Sequence, residues 1–566
     1  MCLPPVGKMV RMLLLILVLL LLPSFAWAKH FYVDNMCSYN GDGTTQACAA
    51  GDGQPGPFNS IAKAQTALTG DQSDNSLLLK RDRIFREQYN VSAYGTESHP
   101  FTIGGYGAGN IPIISGADLL DRWSKWTKEG VLNGADNRAP AKRLWYTTVS
   151  GDPKQVFING SRATEVSSKD DLDKVDKWCF DRKNNRIYVY SVSHPSTRRI
   201  EVSSRFCGIY IKGKRYLKFQ NLQVEKTNGD GFRVEGDSHY ITLENVVSNE
   251  NYNTGMDVNT TGYTCTGGKV QNSTCSLNGG SGLKLSYAAS WTITQNNTSN
   301  NCQLRTGKEA HNWAAGIKIT ATNSANNIIE KNISSGNKNG CGIWLDFCGA
   351  GNVIRYNWTE GNYSAGIFNE ITSGTKIYYN VSCNNTSGIY VEGRSTPIPP
   401  YPWANYPANN NEVYNNVMWG NSKFGFILQQ GQIPYATGYC HDNIVKNNIS
   451  VNTTDGPNLR VGGAAEYEKN TFSNNCFGKE STKFIEWGWG SYRSSYDAWE
   501  KAYGSSTNSV KADPKMVDPS NRNFRLKPTS PCIDAGTDVG LTQDHTGVRL
   551  PIGRAPDIGA YVYSGD

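Results

Sequence analysis

The stretch Gly342-Ile343-Trp344-Leu345-Asp346 is one of nine copies of a short phrase: a glycine, an apolar residue, any residue, usually a second apolar residue, then a polar one. The others are GIYIK, GFRVE, GMDVN, GLKLS, GIKIT, GIFNE, GIYVE and GFILQ, and the nine glycines are 208, 231, 255, 282, 316, 342, 366, 388 and 425. The steps between them are 23, 24, 27, 34, 26, 24, 22 and 37 residues. A period in the low twenties, stretched in places, marks stacked repeats. Apolar and polar residues alternate within the phrase, so the repeating unit is a strand and not a helix. Short strands stacked in this way make a parallel β-helix, in which each coil covers the next. Positions two and four then point into the coil, and positions three and five point out on one face.

A second signal runs through the same coils. An apolar residue is followed three positions later by Asn at Asn296, Asn332, Asn357, Asn380, Asn416 and Asn447. Asn tolerates the left-handed conformation and its amide bonds to neighbouring backbone, so a column of Asn predicts a hydrogen-bonded ladder at a turn. The ladder accounts for the N-x-S/T matches at Asn332 and Asn380 better than glycosylation does.

Working outward, residues 1–28 carry a basic start (Lys8, Arg11), a uniformly apolar run Met12–Leu22 and the small-x-small sequence Ala26-Trp27-Ala28. This is the pattern of a secretory signal peptide. The apolar run is about half of the ~20 residues a membrane span needs. The protein is therefore expected to be secreted or periplasmic, with no membrane partner after cleavage. Residues 29–118 read as an N-terminal cap, with FNSIAKAQTAL at helical spacing, followed by the first coils. Residues 119–203 break the period, and their strands QVFING, KWCFD and RIYVYSV predict an inserted small β-module. Residues 204–470 are the coils, and 471–566 the last coils and a C-terminal cap.

The formal net charge is +7, of which Lys8 and Arg11 supply two, and 19% of residues are charged without a long basic run. That excludes nucleic acid as the main partner. The 7 His and the lack of zinc-finger cysteine spacing predict no metal site. In an exported chain some of the cysteines should pair, and Cys37–Cys48 and Cys265–Cys275 are local candidates. The abundance of Trp (14), Tyr (30) and Phe (18) in a polar chain suits a carbohydrate partner, and equally the ordinary aromatic content of a β-rich protein.

Position five reads Lys212, Glu235, Asn259, Ser286, Thr320, Asp346, Glu370, Glu392, Gln429. Adjacent coils are ~4.8 Å apart, so the carboxyls of Asp346 and Glu370 should be roughly 5 Å apart, with Glu392 one coil further. A retaining glycosidase needs about 5–5.5 Å between its carboxyls and an inverting one about 6.5–9.5 Å, the latter nearer to Asp346 with Glu392. Trp344, Phe368 and Tyr390 occupy position three beside these acids and are candidate substrate contacts. The insertion 302–313 adds His311 and Trp313, and the insertion 394–411 lengthens the coil after Glu392. Like charges this close should push one carboxyl pKa upward. The alternative is a solvated polar face with no chemistry.

Basic residues on the same face, Lys318 and Lys284, open a second reading, a polysaccharide lyase or uronate epimerase with a Lys base and Ca²⁺ as charge neutraliser. The set Arg233, Asp257, Lys284 and Lys318 also fits a structural ladder of alternating charge. A non-catalytic carbohydrate-binding β-helix is the third reading.

The run GIKIT…NIIEKN…GCGIWLDF…NVIRYN…AGIFNEITSG…IYYN resembles the β-helical glycoside hydrolases related to family 120 β-xylosidases, within the wider group of right-handed, pectate-lyase-like β-helices. The opening FYVDN…PFNSIAKA…RIFRE…YGAGNIPIISG is similar to that wider group. The resemblance implies an all-β, right-handed parallel β-helix carrying an inserted β-module. It implies a retaining, xylosidase-like hydrolase needing no cofactor, with Asp346 as nucleophile and Glu370 as general acid/base.

Overall fold

In the computed structural model of the chain, residues 28–125, 143–304, 313–394, 407–431, 439–463, 465–550 and 552–565 are described. The leader expected over 1–28 lies almost wholly outside these residues, as do His311 and most of both long insertions.

The coils form a parallel β-helix with two faces of 13 strands each, and the pairings are parallel except at the C-terminal edge of one face, where Ile485–Trp487 pairs antiparallel with Tyr492–Arg493. One face holds the Gly phrases in sequence order, so each coil is hydrogen-bonded to the coil before and the coil after. The second face holds strands such as Ile328–Glu330 and Val353–Arg355. A third face is broken into a four-stranded and a five-stranded piece, linked by single bridges at Thr274 and Asn297. Positions two and four of the phrase fill the solenoid. Ile317, Ile319, Ile343, Leu345, Ile367, Ile389 and Val391 are all fully buried in one continuous core.

The Asn ladder has more rails than the sequence pattern shows. The predicted column runs Asn296, Asn332, Asn357, Asn380, Asn416, Asn448 and Asn475, each amide donating to the next at 2.9–3.1 Å. Asn448, not Asn447, is the member in its coil, because Val445 and not Ile444 is the buried anchor that stacks on Val413. The ladder residues are not the left-handed ones either. That conformation falls on the residue just before, as at Lys331, Tyr356, Tyr379, Asn415 and Asn447. A second rail, Asn251 to Asn421, and a third, including Asn327, Asn352, Asn411, Asn443 and Asn470, turn the other corners. Each amide satisfies buried backbone at a corner where no strand partner is available.

At the N-terminal end the helix Ile61–Ala67 is capped by Ser60, whose side chain accepts from Lys63 N. At the other end the helix Tyr496–Tyr503 buries Trp499 against Phe472, Phe477 and Trp487 of the last coils. The remaining C-terminal segment does not simply close the end. Phe524, Leu526, Ile558 and Tyr561 pack back along the third face against Tyr379, Val381, Val417 and Ile449.

Between the strands Ala117–Leu119 and Ile200–Ser203 the chain builds two small, mostly antiparallel sheets with their own core of Val156, Trp178, Ile187, Val189 and Val202. Glu201 ties this unit to the first coils. Burial opposes its charge, but Arg86, Lys226 and Arg199 outweigh burial and bring its pKa down to about 2.

Cys37 and Cys48 form a disulfide, whereas Cys265 and Cys275 are free and buried. The strand Lys269–Gln271 runs between the latter two and places them on different corners of one coil. Among the described residues no helix is long and apolar enough to cross a membrane.

Candidate active site

The register of the Gly-phrase face puts Asp346 directly beside Glu370, and Glu370 directly beside Glu392. Column three runs alongside as Lys318, Trp344, Phe368 and Tyr390. The sequence alone suggests that position five faces open solvent. Instead Asp346, Glu370 and Glu392 are only 8%, 5% and 6% exposed, so the acids lie in a recess.

The recess follows from how the strands end. In the earlier coils the residue after position five turns left-handed, at Gly213, Gly236, Tyr287 and Ala321, and the chain leaves the face. Phe347 and Ile371 do the same after Asp346 and Glu370. Ile371 is β-branched at φ 43°, where such a residue costs roughly 1–2 kcal/mol. The next two strands do not turn there. Ser387–Arg394 and Phe424–Gly431 run on for two more residues, and this places Arg394 beside the acids. Arg394 was not found by sequence reasoning, because it lies beyond the fifth position and within the Pro-rich insertion.

The two central carboxyls sit in different surroundings. Asp346 Oδ2 is 3.0 Å from Lys318 Nζ. That ammonium lies over the Trp344 ring at 3.5 Å and the Trp313 ring at 4.8 Å, and donates to the Trp313 carbonyl. Glu370 Oε2 accepts from the Trp344 indole N–H at 3.0 Å, and Oε1 pairs with Arg394. Burial, then the charges of Asp346 and Glu392, outweigh Arg394 and Lys318 and push the Glu370 carboxyl up to about 7. Glu392 lies 3.6 Å from Arg394 and accepts from Gln429 at 3.3 Å. The Tyr390 phenol is raised well above its ordinary range by burial and by Glu392, so it stays a neutral hydrogen-bond donor.

The strand Ala365–Glu370 breaks its own pattern at position four. Asn369 stands where an apolar residue is usual, fully buried inside the solenoid. Its amide donates to Thr372 O at 2.8 Å, while Oδ1 has no hydrogen-bond partner among the described residues. A buried unsatisfied acceptor costs roughly 1–3 kcal/mol. This strand thus carries two local penalties, Asn369 and Ile371, on either side of Glu370. Such violations concentrate at functional sites.

The aromatic column differs from a set of open sugar platforms. Trp344 and Phe368 stack at 5.4 Å, and Phe368 and Tyr390 at 4.4 Å, so their faces are spent on each other. They offer edges to the recess. Trp313, 62% exposed, offers a free surface beside them.

Upstream, Arg233 pairs with Asp230, Asp257 and Glu235, as a structural charge ladder would. Lys284 lies one coil beyond Lys318 from the acidic pair. Among the described residues no three His, Cys, Asp or Glu side chains are grouped so as to hold a metal ion.

A family model for the right-handed beta helix region matches residues 178–298 and 263–399, and a model described as disaggregatase related matches 407–540. No curated protein matches the sequence. Among solved structures, XylC in complex with xylose aligns over 94% of this chain and 98% of its own, at 13% identity and a TM-score of 0.58. The lacto-N-biosidase of Eubacterium ramulus aligns over 81% and 68%, at 14% identity and a TM-score of 0.43. The pectate lyase Pel9A aligns over 95% and 97%, at 15% identity and a TM-score of 0.37. The fold is a right-handed parallel β-helix.

Proposed function

We propose that the protein is a carbohydrate-active enzyme, a retaining glycoside hydrolase in which Asp346 is the nucleophile and Glu370 the general acid/base. The observation that carries the reading is the pair itself. Two carboxyls in adjacent coils each meet a cation, Asp346 the Lys318 ammonium and Glu370 the Arg394 guanidinium, yet burial and its acidic neighbours still push Glu370 up to about 7. A carboxyl held protonated beside a second acid suits the role of proton donor and leaves that of nucleophile to its neighbour.

In this reading Asp346 attacks the anomeric carbon while Glu370 gives its proton to the departing oxygen. Glu370, now a carboxylate, takes a proton from the water that attacks the same carbon and releases Asp346. Lys318 balances the Asp346 charge before attack, and Trp344 and Arg394 hold the Glu370 carboxyl in place. No cofactor enters these steps. The likeness in fold to XylC, solved with xylose, supports a sugar as substrate and agrees with the xylosidase-like resemblance of the sequence.

The lyase or epimerase reading needs a Lys able to take a proton. Lys318 is already committed to Asp346 and to two indole rings, and this weighs against it.

The test is turnover of a panel of aryl glycosides by Asp346→Ala and Glu370→Gln. Each variant should lose at least ~100-fold in kcat/KM. Near-normal turnover in both, or an unsaturated product absorbing in the ultraviolet, would sink the assignment. Tight glycan binding without turnover by the unaltered protein would favour a binding module.

A further inference from the structure

Column three continues past the acids, through Ile427 to Arg460 and then Glu486. Arg460 stands on the same outer face as Phe368, three coils further, about 14 Å at the ordinary strand spacing. The distance is that of a few pyranose rings along the solenoid axis.

Arg460 is held unusually firmly for a surface cation. Its guanidinium carbon is 4.7 Å from the centre of the Phe424 ring and 4.5 Å from that of Trp489, a clamp of two cation–π contacts. The side chain is 15% exposed, and Trp489 itself is 46% exposed. Glu486 lies 3.5 Å from Nε in an ion pair without a hydrogen bond, and its other oxygen accepts from Gly490 N at 2.9 Å. Nε is buried with no hydrogen-bond partner. Among the described residues the guanidinium fork makes no hydrogen bond, only the ion pair and the ring contacts. A planar fork, fixed in orientation and with its donors unused, matches a planar or tetrahedral oxyanion in bidentate fashion. The nearby exposed indole suits the apolar face of a sugar carrying that anion.

We propose that Arg460, clamped by Phe424 and Trp489, binds an acidic unit of the glycan, a sugar bearing a carboxylate or a sulfate, three coils from the acidic pair. The proposal rests on the hydrolase reading for its substrate class, because it makes the enzyme one that acts on an anionic oligosaccharide. It adds a specificity residue that touches no reacting atom.

The test measures binding, so that it does not depend on turnover. Full-length protein carrying Glu370→Gln is titrated calorimetrically with oligosaccharide pairs that differ only in one uronate, and with pairs that differ only in one sulfate. The acidic member of at least one pair should bind roughly tenfold tighter or more, with the preference weakening as salt rises. The pair that shows it identifies the anion. Arg460→Gln should abolish the preference and leave the neutral members unchanged. Arg460→Lys keeps the charge without the fork, should retain only part of it, and carries the test should the Gln variant not fold. Equal affinity for acidic and neutral members in the parent, equal weakening of both by Arg460→Gln, or full retention in Arg460→Lys would overturn the proposal. Its outcome is separable from that of the hydrolase reading: a preference that needs Arg460, in a protein that cleaves none of the panel, removes the reading and keeps the site.

Discussion

Glu370→Gln should flatten the dependence of stability on pH as well as remove activity. In the folded protein the Glu370 carboxyl holds its proton up to about 7, against an ordinary 4.5. A raised carboxyl contributes stability that is fully present below the ordinary value and is lost as pH rises through the folded one. The interval is worth roughly 3 kcal/mol at about 1.4 kcal/mol per pH unit. Above pH 7 the unaltered protein must keep a charged carboxylate buried beside Asp346 and Glu392. Gln does not titrate and keeps the acceptor for the Trp344 indole. The stability of Glu370→Gln minus that of the unaltered chain should therefore rise by about 3 kcal/mol between pH 4 and pH 8.5. Any constant cost of the substitution, such as the lost Arg394 pairing, shifts the whole curve and leaves its slope. Denaturant unfolding followed by tryptophan fluorescence at several pH values reads the difference directly. Parallel curves for the two proteins across this range would refute the charge assignment, because Glu370 would then titrate as an ordinary carboxyl.

Two further perturbations act on the same framework. Arg394→Met removes a cation that lowers the Glu370 carboxyl, so the basic limb of kcat/KM against pH should move upward by about one unit or more; an unmoved or downward-shifted limb would show that Arg394 does not act on the acid. Asn357→Ala deletes a rung that accepts from the backbone and amide of Asn332 and donates to Ile329 O. It should cost about 3 kcal/mol in denaturant unfolding, and a cost below about 1 kcal/mol would mean that the ladder is ornamental.

Much of this architecture is legible in the sequence because a solenoid converts period into neighbourhood. The Gly phrase repeats closely enough that counting to the fifth position places Asp346 beside Glu370 without any structure. The Asn columns are legible for the same reason, although only one of three rails is regular enough to see. What escapes is whatever depends on where a strand stops. Arg394 enters the site because its strand runs on past the usual left-handed turn, and nothing local in GIYVEGR announces that. Arg460 is hidden because its coil, NLRVG, has lost the initial glycine that marks the phrase. The burial of the acids and the self-stacking of Trp344, Phe368 and Tyr390 arise from side-chain packing between coils, which register alone does not specify. Cys265 and Cys275 look close in sequence, yet a strand of the second face intervenes.

The most direct test of the account is the configuration of the first sugar released, read by NMR before mutarotation, on the best substrate found in the aryl glycoside panel. The register pairs Asp346 with Glu370 in adjacent coils, and in the proposed reading the ordinary strand spacing of ~4.8 Å gives their carboxyls the short separation of a retaining enzyme. The first product should carry the anomeric configuration of the substrate. Release of the inverted sugar would contradict it, and would move the partner of Asp346 one coil along to Glu392.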